Sequence, residues 1–461
     1  MELKNAWLSY SAAEKKELEA LTCEYRDFLS NGKTERECVE LSVEAAKKAG
    51  YLDINDVIKK KKKLKAGDKV YAVWMEKTVA LFNIGTDNIE NGLNILGAHI
   101  DSPRMDVKQN PLYEDSSFAY LDTHYYGGIK KYQWATIPLA MHGIVAKPNG
   151  ERIWISVGEE ENDPVFYITD LPPHLSRGGQ DSRKLEEGIE AEELNIVAGT
   201  IPYDDEKVNE KVKLNILRIL NEKYGILESD FLSSELEIVP AGKARDAGFD
   251  RSMILGYGHD DRVCAYPSMR AILEARNLKR TACCILVDKE EIGSVGATGM
   301  RSHFFENAVA ELMNLTKEGY NDLSLRRCLA NSCMLSSDVS AGFDPTYASS
   351  FEKKNAAFLG EGLVFNKFTG SRGKSGSNDA NAEFIAEIRR AFEKDGIIYQ
   401  TAELGKVDVG GGGTIAYILA LYGMDVIDCG VPVLCMHAPW EVTSVADVYE
   451  AYKAYVAFIS Y

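Results

Sequence analysis

Apolar residues follow two different rhythms along the chain. Near the N-terminus they recur at helical spacing, and Ser11-x-x-Glu14 and Thr34-x-x-Glu37 each fit a capping box. These signals predict helices running to about Phe28 and about Lys48. From Lys69 the rhythm shortens to strand-like runs: VYAVWM, VALFNIG and LNILGA. A second such stretch begins near Ser252 and holds TACCILV, a helix-like GGTIAYILALYG and the run VIDCGVPVLCM. Apolar strands alternating with helices predict an α/β domain, a buried sheet with helices on its faces.

The stretch between about Arg104 and Phe249 reads differently. KYQWATIPLAMHGIVAKPNGERIWISV predicts strands around a turn at Asn149-Gly150, the strongest short hairpin signal. Arg177 to Asn195 is polar and predicts a loop, and Glu206 to Tyr224 predicts an amphipathic helix. The expected division is residues 1–103 and 250–461 for the two parts of the α/β domain, with a mainly β domain, residues 104–249, inserted between them. The lysine run Lys59 to Lys63 reads as a solvated helix end or loop in preference to an anion site.

At 461 residues, with 45% hydrophobic and 27% charged, the composition is that of a globular chain large enough for more than one domain. A net charge of -17 argues against broad binding to nucleic acid or anionic membrane. The nine cysteines show no zinc-finger spacing, and Cys283-Cys284 falls in an apolar run, so free thiols and a cytoplasmic location are expected. Met1 to Ala12 mixes charged and apolar residues and does not read as a secretory signal, and no apolar run is long enough to span a bilayer.

The chemistry sits where the strand-like runs stop. LNILGA runs into His99-Ile100-Asp101, TACCILV into Asp288-Lys289-Glu290-Glu291, CMLSS into Asp338 and VPVLCM into His437; His259-Asp260-Asp261 forms a fifth cluster. Each cluster alone reads as a surface pair, a helix start or a turn. Together, beyond the carboxyl ends of strands, they mark the usual ligand position of an open α/β sheet. Gathering so many acids away from water is costly without cations. Imidazole and carboxylate donors without thiolate favour zinc, with cobalt or manganese as alternatives, over calcium or magnesium. Two ions need a shared ligand, which a carboxylate can provide.

At these residues the sequence resembles the aspartyl aminopeptidase family, family eighteen of the metallopeptidases. The blocks LGAHIDSPRMD, HDDRVCAY, DKEEIGSVGATG, SSDVSAGFDPTY, TGSRGKSGSNDANAEF and GGGGTIAYILALYGMDVIDCGVPVLCMHAPWE lie in the family's order from about Asn94 to Ser444. The resemblance implies a three-layer α/β/α catalytic domain with an inserted oligomerisation or lid domain. It implies His99 and Asp338 as terminal ligands of one metal, Asp260 as the bridge, and Glu291 and His437 as ligands of the second. Glu290 is then the general base, taking a proton from a water activated by both ions and passing it to the leaving amine. Asp101 is the carboxylate that orients His99. The peptide bond after Asp260 is expected to be cis.

The activity so implied is removal of the N-terminal residue from short peptides with a free N-terminus, inside a tetrahedral homododecamer. The family contains members preferring Asp or Glu and others preferring apolar first residues. Acidic-preferring members carry a histidine where this chain has Ala341. Lys367, Arg372 and Lys374 either supply positive charge near the pocket or form a basic surface loop. His174, in PPHLSR, matches a family histidine that reaches a neighbouring subunit's site; without the family it is a loop histidine. His124, His142 and His303 match no motif and read as structural. Gly410 to Gly413 lacks the ending of a phosphate loop and reads as close backbone approach near substrate, with Gly412 a substrate contact, opening a helix. Rival readings are a related two-metal deacylase or carboxypeptidase, and an inactive relative serving as a scaffold.

Overall fold

The computed structural model describes residues 4–317 and 319–461. Met1, Glu2 and Leu3, part of the segment weighed as a leader, lie outside the described residues. Both capping boxes form. Ser11 caps the helix Ala12–Asn31 and Thr34 caps Glu35–Lys48, each with its side chain and that of Glu14 or Glu37 bonded reciprocally to backbone amides.

The chain divides into two compact units: one runs to Asp101 and resumes over Ala244–Met436 and Glu441–Tyr461, the other comprises Ser102–Lys243 and His437–Trp440. The first unit is built on a nine-stranded sheet. Its centre is four parallel neighbours, in the order Thr281–Val287, Leu93–His99, Cys333–Ser337 and Asp425–Gly430. Alternating residues of these strands pack into opposite layers, as strand geometry requires. Leu96, Ala98, Cys284, Leu286, Leu335 and Ile427 join a cluster with the helices Ala12–Asn31, His259–Glu274 and Val445–Ser460. Ile95, Cys283, Ile285, Met334 and Val426 join a second cluster with Phe304–Thr316 and Asp322–Ala330. The result is the expected three-layer α/β/α arrangement, and the buried pair Cys283-Cys284 feeds both layers.

Because the four central strands run the same way, their last residues share one end of the sheet. Val287 stands beside His99 in register, Ser336 beside Gly97, and Asp338 directly follows Ser337. A smaller five-stranded sheet in the same unit pairs Met253–Gly256 with Glu441–Ser444, setting Gly256 opposite Glu441.

The second unit is a six-stranded antiparallel sheet carrying the helix Lys211–Tyr224. The hairpin is where the sequence puts it: Leu139–Ala146 pairs with Arg152–Val157, and Gly150 takes the left-handed conformation of the turn, φ 88°.

Three local expectations change. The helix expected from Glu206 starts at Lys211, after Glu210 at φ 47°, a conformation that cannot continue a right-handed helix backwards. GGTIAYILALYG yields only the five-residue helix Ala416–Ala420, so the glycine run does not open a helix directly. VIDCGVPVLCM is two strands in two sheets, Asp425–Gly430 and Pro432–Leu434. Among the described residues, no helix is long and apolar enough to cross a membrane, and no disulfide joins any of the nine cysteines.

Candidate metal centre

His99 is the last residue of its strand and is almost fully buried. Its Nδ1 lies 3.0 Å from the Asp101 carbonyl oxygen and 3.2 Å from Asp101 Oδ1. A carbonyl only accepts, so Nδ1 carries the proton and Nε2 presents a lone pair. That nitrogen lies 3.2 Å from Asp260 Oδ1, 3.9 Å from Asp338 Oδ1 and 4.0 Å from Glu290 Oε2. His99, Asp260 and Asp338 each offer one donor atom, all within 4.8 Å of one another. Asp260 and Glu291 likewise bring a carboxylate oxygen each within 4.8 Å. Asp260 is thus common to both pairings, the position a bridging ligand needs.

The backbone around these side chains is irregular. Gly258, at φ 77°, turns the chain out of its strand into His259–Glu274, where Asp260 and Asp261 have non-helical angles and the bond between them is cis. Glu290 and Glu291 sit in a single 3-10 turn between Lys289 and Gly293, both left-handed at φ 69° and 93°. The expected non-repeating loop is instead one helical turn, whose roughly three residues per turn still point adjacent glutamates in different directions.

Carboxylates that are not proposed as ligands hold the main chain of residues that gather around His99. Asp101 accepts from the amides of Glu290 (3.1 Å to Oδ1) and Glu291 (3.2 Å to Oδ2). Asp261 Oδ2 accepts from the amide of His99 at 3.3 Å. Glu441 Oε2 accepts from the amide of Asp260 at 3.0 Å. The sequence reading gave Asp101 its role but assigned none to Asp261 or Glu441. Glu441 stands at the end of the quoted HAPWE block, but nothing in the sequence says it faces a residue 181 positions away.

The electrostatics match the donor set. Burial, then the neighbouring charges of Asp261 and Glu290, hold the Asp338 carboxyl well above the usual carboxylate range. Burial does the same to Asp261. Burial alone would discharge the His99 ring, but Asp101 and Asp260 outweigh it and raise its pKa. Imidazole and carboxylate donors packed this tightly could hold a cation: without one they retain protons, which a divalent ion would displace. One nitrogen and several oxygens, no thiolate, suits zinc.

Other residues of the motif blocks have partners of their own. His259, beside Asp260, is consumed by Tyr25 and by the Ile254 carbonyl. Asp288 is tied to Thr298 Oγ1 at 2.5 Å and to Lys289 Nζ at 3.3 Å. Lys374 bonds Asp379 at 3.1 Å and lies over the Phe368 ring at 3.9 Å, so its charge already has an acidic partner. Close approach governs part of the glycine run. A Cβ on Gly410 would lie 1.7 Å from the Leu404 oxygen, whereas one on Gly412 would meet nothing within 4 Å. In the second unit, His437 has φ 65° and its Nδ1 bonds the Gly128 carbonyl at 2.8 Å, which again leaves Nε2 as the lone-pair nitrogen. His174 is exposed in the short turn Pro173–Ser176 of that unit.

The model of the aminopeptidase I zinc metalloprotease family, M18, matches residues 28–459. The chain belongs to the M18 family. It is 59% identical, over 97% of its length and 96% of the relative's, to a probable M18 family aminopeptidase 1 of Clostridium acetobutylicum. The crystal structure of an M18 aminopeptidase from Thermotoga maritima superposes with a TM-score of 0.95 at 44% identity, covering 100% of this chain and 99% of that one. A more distant fold neighbour, the yeast mApe1 dodecamer, gives a TM-score of 0.76 at 20% identity over 96% and 97% of the two chains. As an M18 protein the chain is a hydrolase of the zinc aminopeptidase class, as the motif blocks imply.

Proposed function

We propose that this M18 chain removes the first residue from short peptides with a free N-terminus, using two divalent ions and Glu290 as general base. The observation that carries the reading is the meeting of His99, Asp260 and Asp338 donors within 4.8 Å, with Glu290 Oε2 4.0 Å from the His99 nitrogen that faces them. His99, Asp260 and Asp338 would hold one ion, and Asp260, Glu291 and His437 the other. When bound, such ions polarise a carbonyl and make water acidic enough to attack at neutral pH.

The chain's own residues do the rest. Asp101 keeps the His99 proton on Nδ1, so Nε2 remains a donor. By gripping the amides of Glu290 and Glu291, it also fixes which glutamate faces the water. Glu290 takes the water's proton and returns it to the departing amine. The carboxylates of the centre attract the substrate's α-ammonium, which selects for N-termini. The Lys374–Asp379 pair and Ala341 support an apolar first residue over an acidic one. Gly412 and His174 are carried as substrate contacts, His174 toward a neighbouring copy. Assembly is read as a tetrahedral homododecamer, supported by the yeast neighbour's dodecamer. Cytoplasmic residence is supported by nine cysteines with no disulfide among them.

The test compares matched peptides with free and acetylated N-termini, with zinc, cobalt or manganese supplied. Cleavage of the free peptides alone is expected. Equal cleavage of both would point to the deacylase or carboxypeptidase alternative, and cleavage of neither to a scaffold. Mass photometry of the purified protein checks the assembly.

A further inference from the structure

We propose that Glu441 is a positioning residue of the metal centre: its buried carboxylate fixes the backbone of Asp260 and so sets the affinity for the cation. The proposal rests on the metal reading given above.

Glu441 is 1% exposed. It opens the strand Glu441–Ser444, and antiparallel pairing places it opposite Gly256, the last residue of the strand that leads into the metal-bearing turn. Two residues on, Gly258 turns the chain in the left-handed conformation, and the Asp260 amide comes back onto Glu441 Oε2 at 3.0 Å. Asp260 has φ -78° and ψ 106°, outside the helix that follows, so no helical hydrogen bond sets its orientation. The hydrogen bond to a carboxylate oxygen of the neighbouring strand does so instead.

The direction of this contact matters. Glu441 reaches the main chain of a proposed ligand residue, as Asp101 does for Glu291 and Asp261 for His99. Ligand orientation is therefore set by acids that spend their oxygens on amides. Loss of such outer partners typically weakens metal affinity about 10–100-fold.

Zinc affinity of the metal-free protein is measured by competition with a chelating dye for wild type, Glu441→Gln, Thr443→Val and Asp260→Asn. Gln keeps the shape and an acceptor oxygen but removes the charge. Thr443 is buried on the same strand and donates to the Pro432 carbonyl at 3.0 Å, so its loss reports general weakening of that strand. Glu441→Gln is expected to bind zinc roughly 10–100-fold more weakly and to exchange the Asp260 amide hydrogen faster before metal is added. Thr443→Val is expected to lower the melting temperature and leave affinity unchanged. If Glu441→Gln does not fold, Glu441→Asp replaces it, and the same loss is expected from its shortened reach. Wild-type affinity in the Glu441 variant, or an equal loss in Thr443→Val, overturns the proposal. Asp260→Asn separates the two levels: if it binds zinc like wild type, the metal reading itself fails. If it loses zinc while the Glu441 variant does not, only the role of Glu441 falls.

Discussion

Tyr25 and His259, 234 positions apart, are joined by a 2.7 Å hydrogen bond between the phenol hydroxyl and Nδ1. The other ring nitrogen donates to the Ile254 carbonyl at 3.1 Å, so the ring is neutral and both its nitrogens are used. Burial pushes its pKa down to about 3. The histidine beside Asp260 therefore anchors the turn to the N-terminal helix. Tyr25→Phe should cost about 1–3 kcal/mol of stability, because it strands a buried acceptor, while zinc content of the folded protein stays at the wild-type level. Urea unfolding and metal analysis of one preparation check both halves.

Asp101 serves three hydrogen-bond donors: the His99 ring and two successive amides. In Asp101→Asn one oxygen becomes an NH2 group and opposes a donor. We expect kcat on a leucine arylamide to fall about 10–100-fold, with a smaller change in KM, since the variant disturbs the orientation of the glutamates. A kcat equal to wild type would contradict the role given to Asp101.

Glu290→Gln removes the proposed proton carrier while keeping its shape. The expected result is retained zinc, retained binding of a peptide inhibitor and a kcat lowered by at least about 100-fold. Substantial turnover in a fully metallated variant would exclude Glu290 as the base.

Asp428 lies in the central sheet with its carboxylate hydrogen bonded to the Thr414 hydroxyl, and burial pushes its pKa from 3.8 to about 7. The raised value means that the folded chain holds a proton that the unfolded chain has released between about pH 4 and 7. Wild-type stability contributed by this group therefore falls as pH rises through that window. Asp428→Asn cannot ionise. Its urea midpoint relative to wild type should rise between pH 4.5 and 8; a difference that is flat with pH would show that Asp428 does not titrate there.

Lys374 is matched by Asp379 and rests on Phe368. If its charge is already spent, Lys374→Ala should change kcat/KM for aspartyl and leucyl arylamides by similar factors. A loss confined to the aspartyl substrate would restore Lys374 as a specificity residue.

What could be read early was what depends on neighbours in the chain. Ser11 and Glu14 cap a helix by reaching three residues, and Asn149-Gly150 closes a hairpin whose strands flank it. The strand-like runs ending in His99, Asp288 and Asp338 are likewise local patterns. The close approach read for the glycine run is present at Gly410 and Gly411, but the helix after it is only Ala416–Ala420. Apolar spacing in GGTIAYILALYG fits a helix, but the fit of Gly410 and Gly411 against Leu404 and Gly370 comes from segments that are distant in sequence or turn through loops.

The family and the layered α/β arrangement are legible in the chain alone, because they are written in short motifs and in the alternation of strand and helix. Which acids gather with His99 and which hold the backbone around it follows from the packed strands instead. Asp260 and Asp261 are adjacent acids in one turn, yet one joins the donor group and the other grips the His99 amide; Glu441 reaches the same turn from a different strand. A carboxylate's task is set by which donors surround it in space, and that arrangement exists only once the strands have paired.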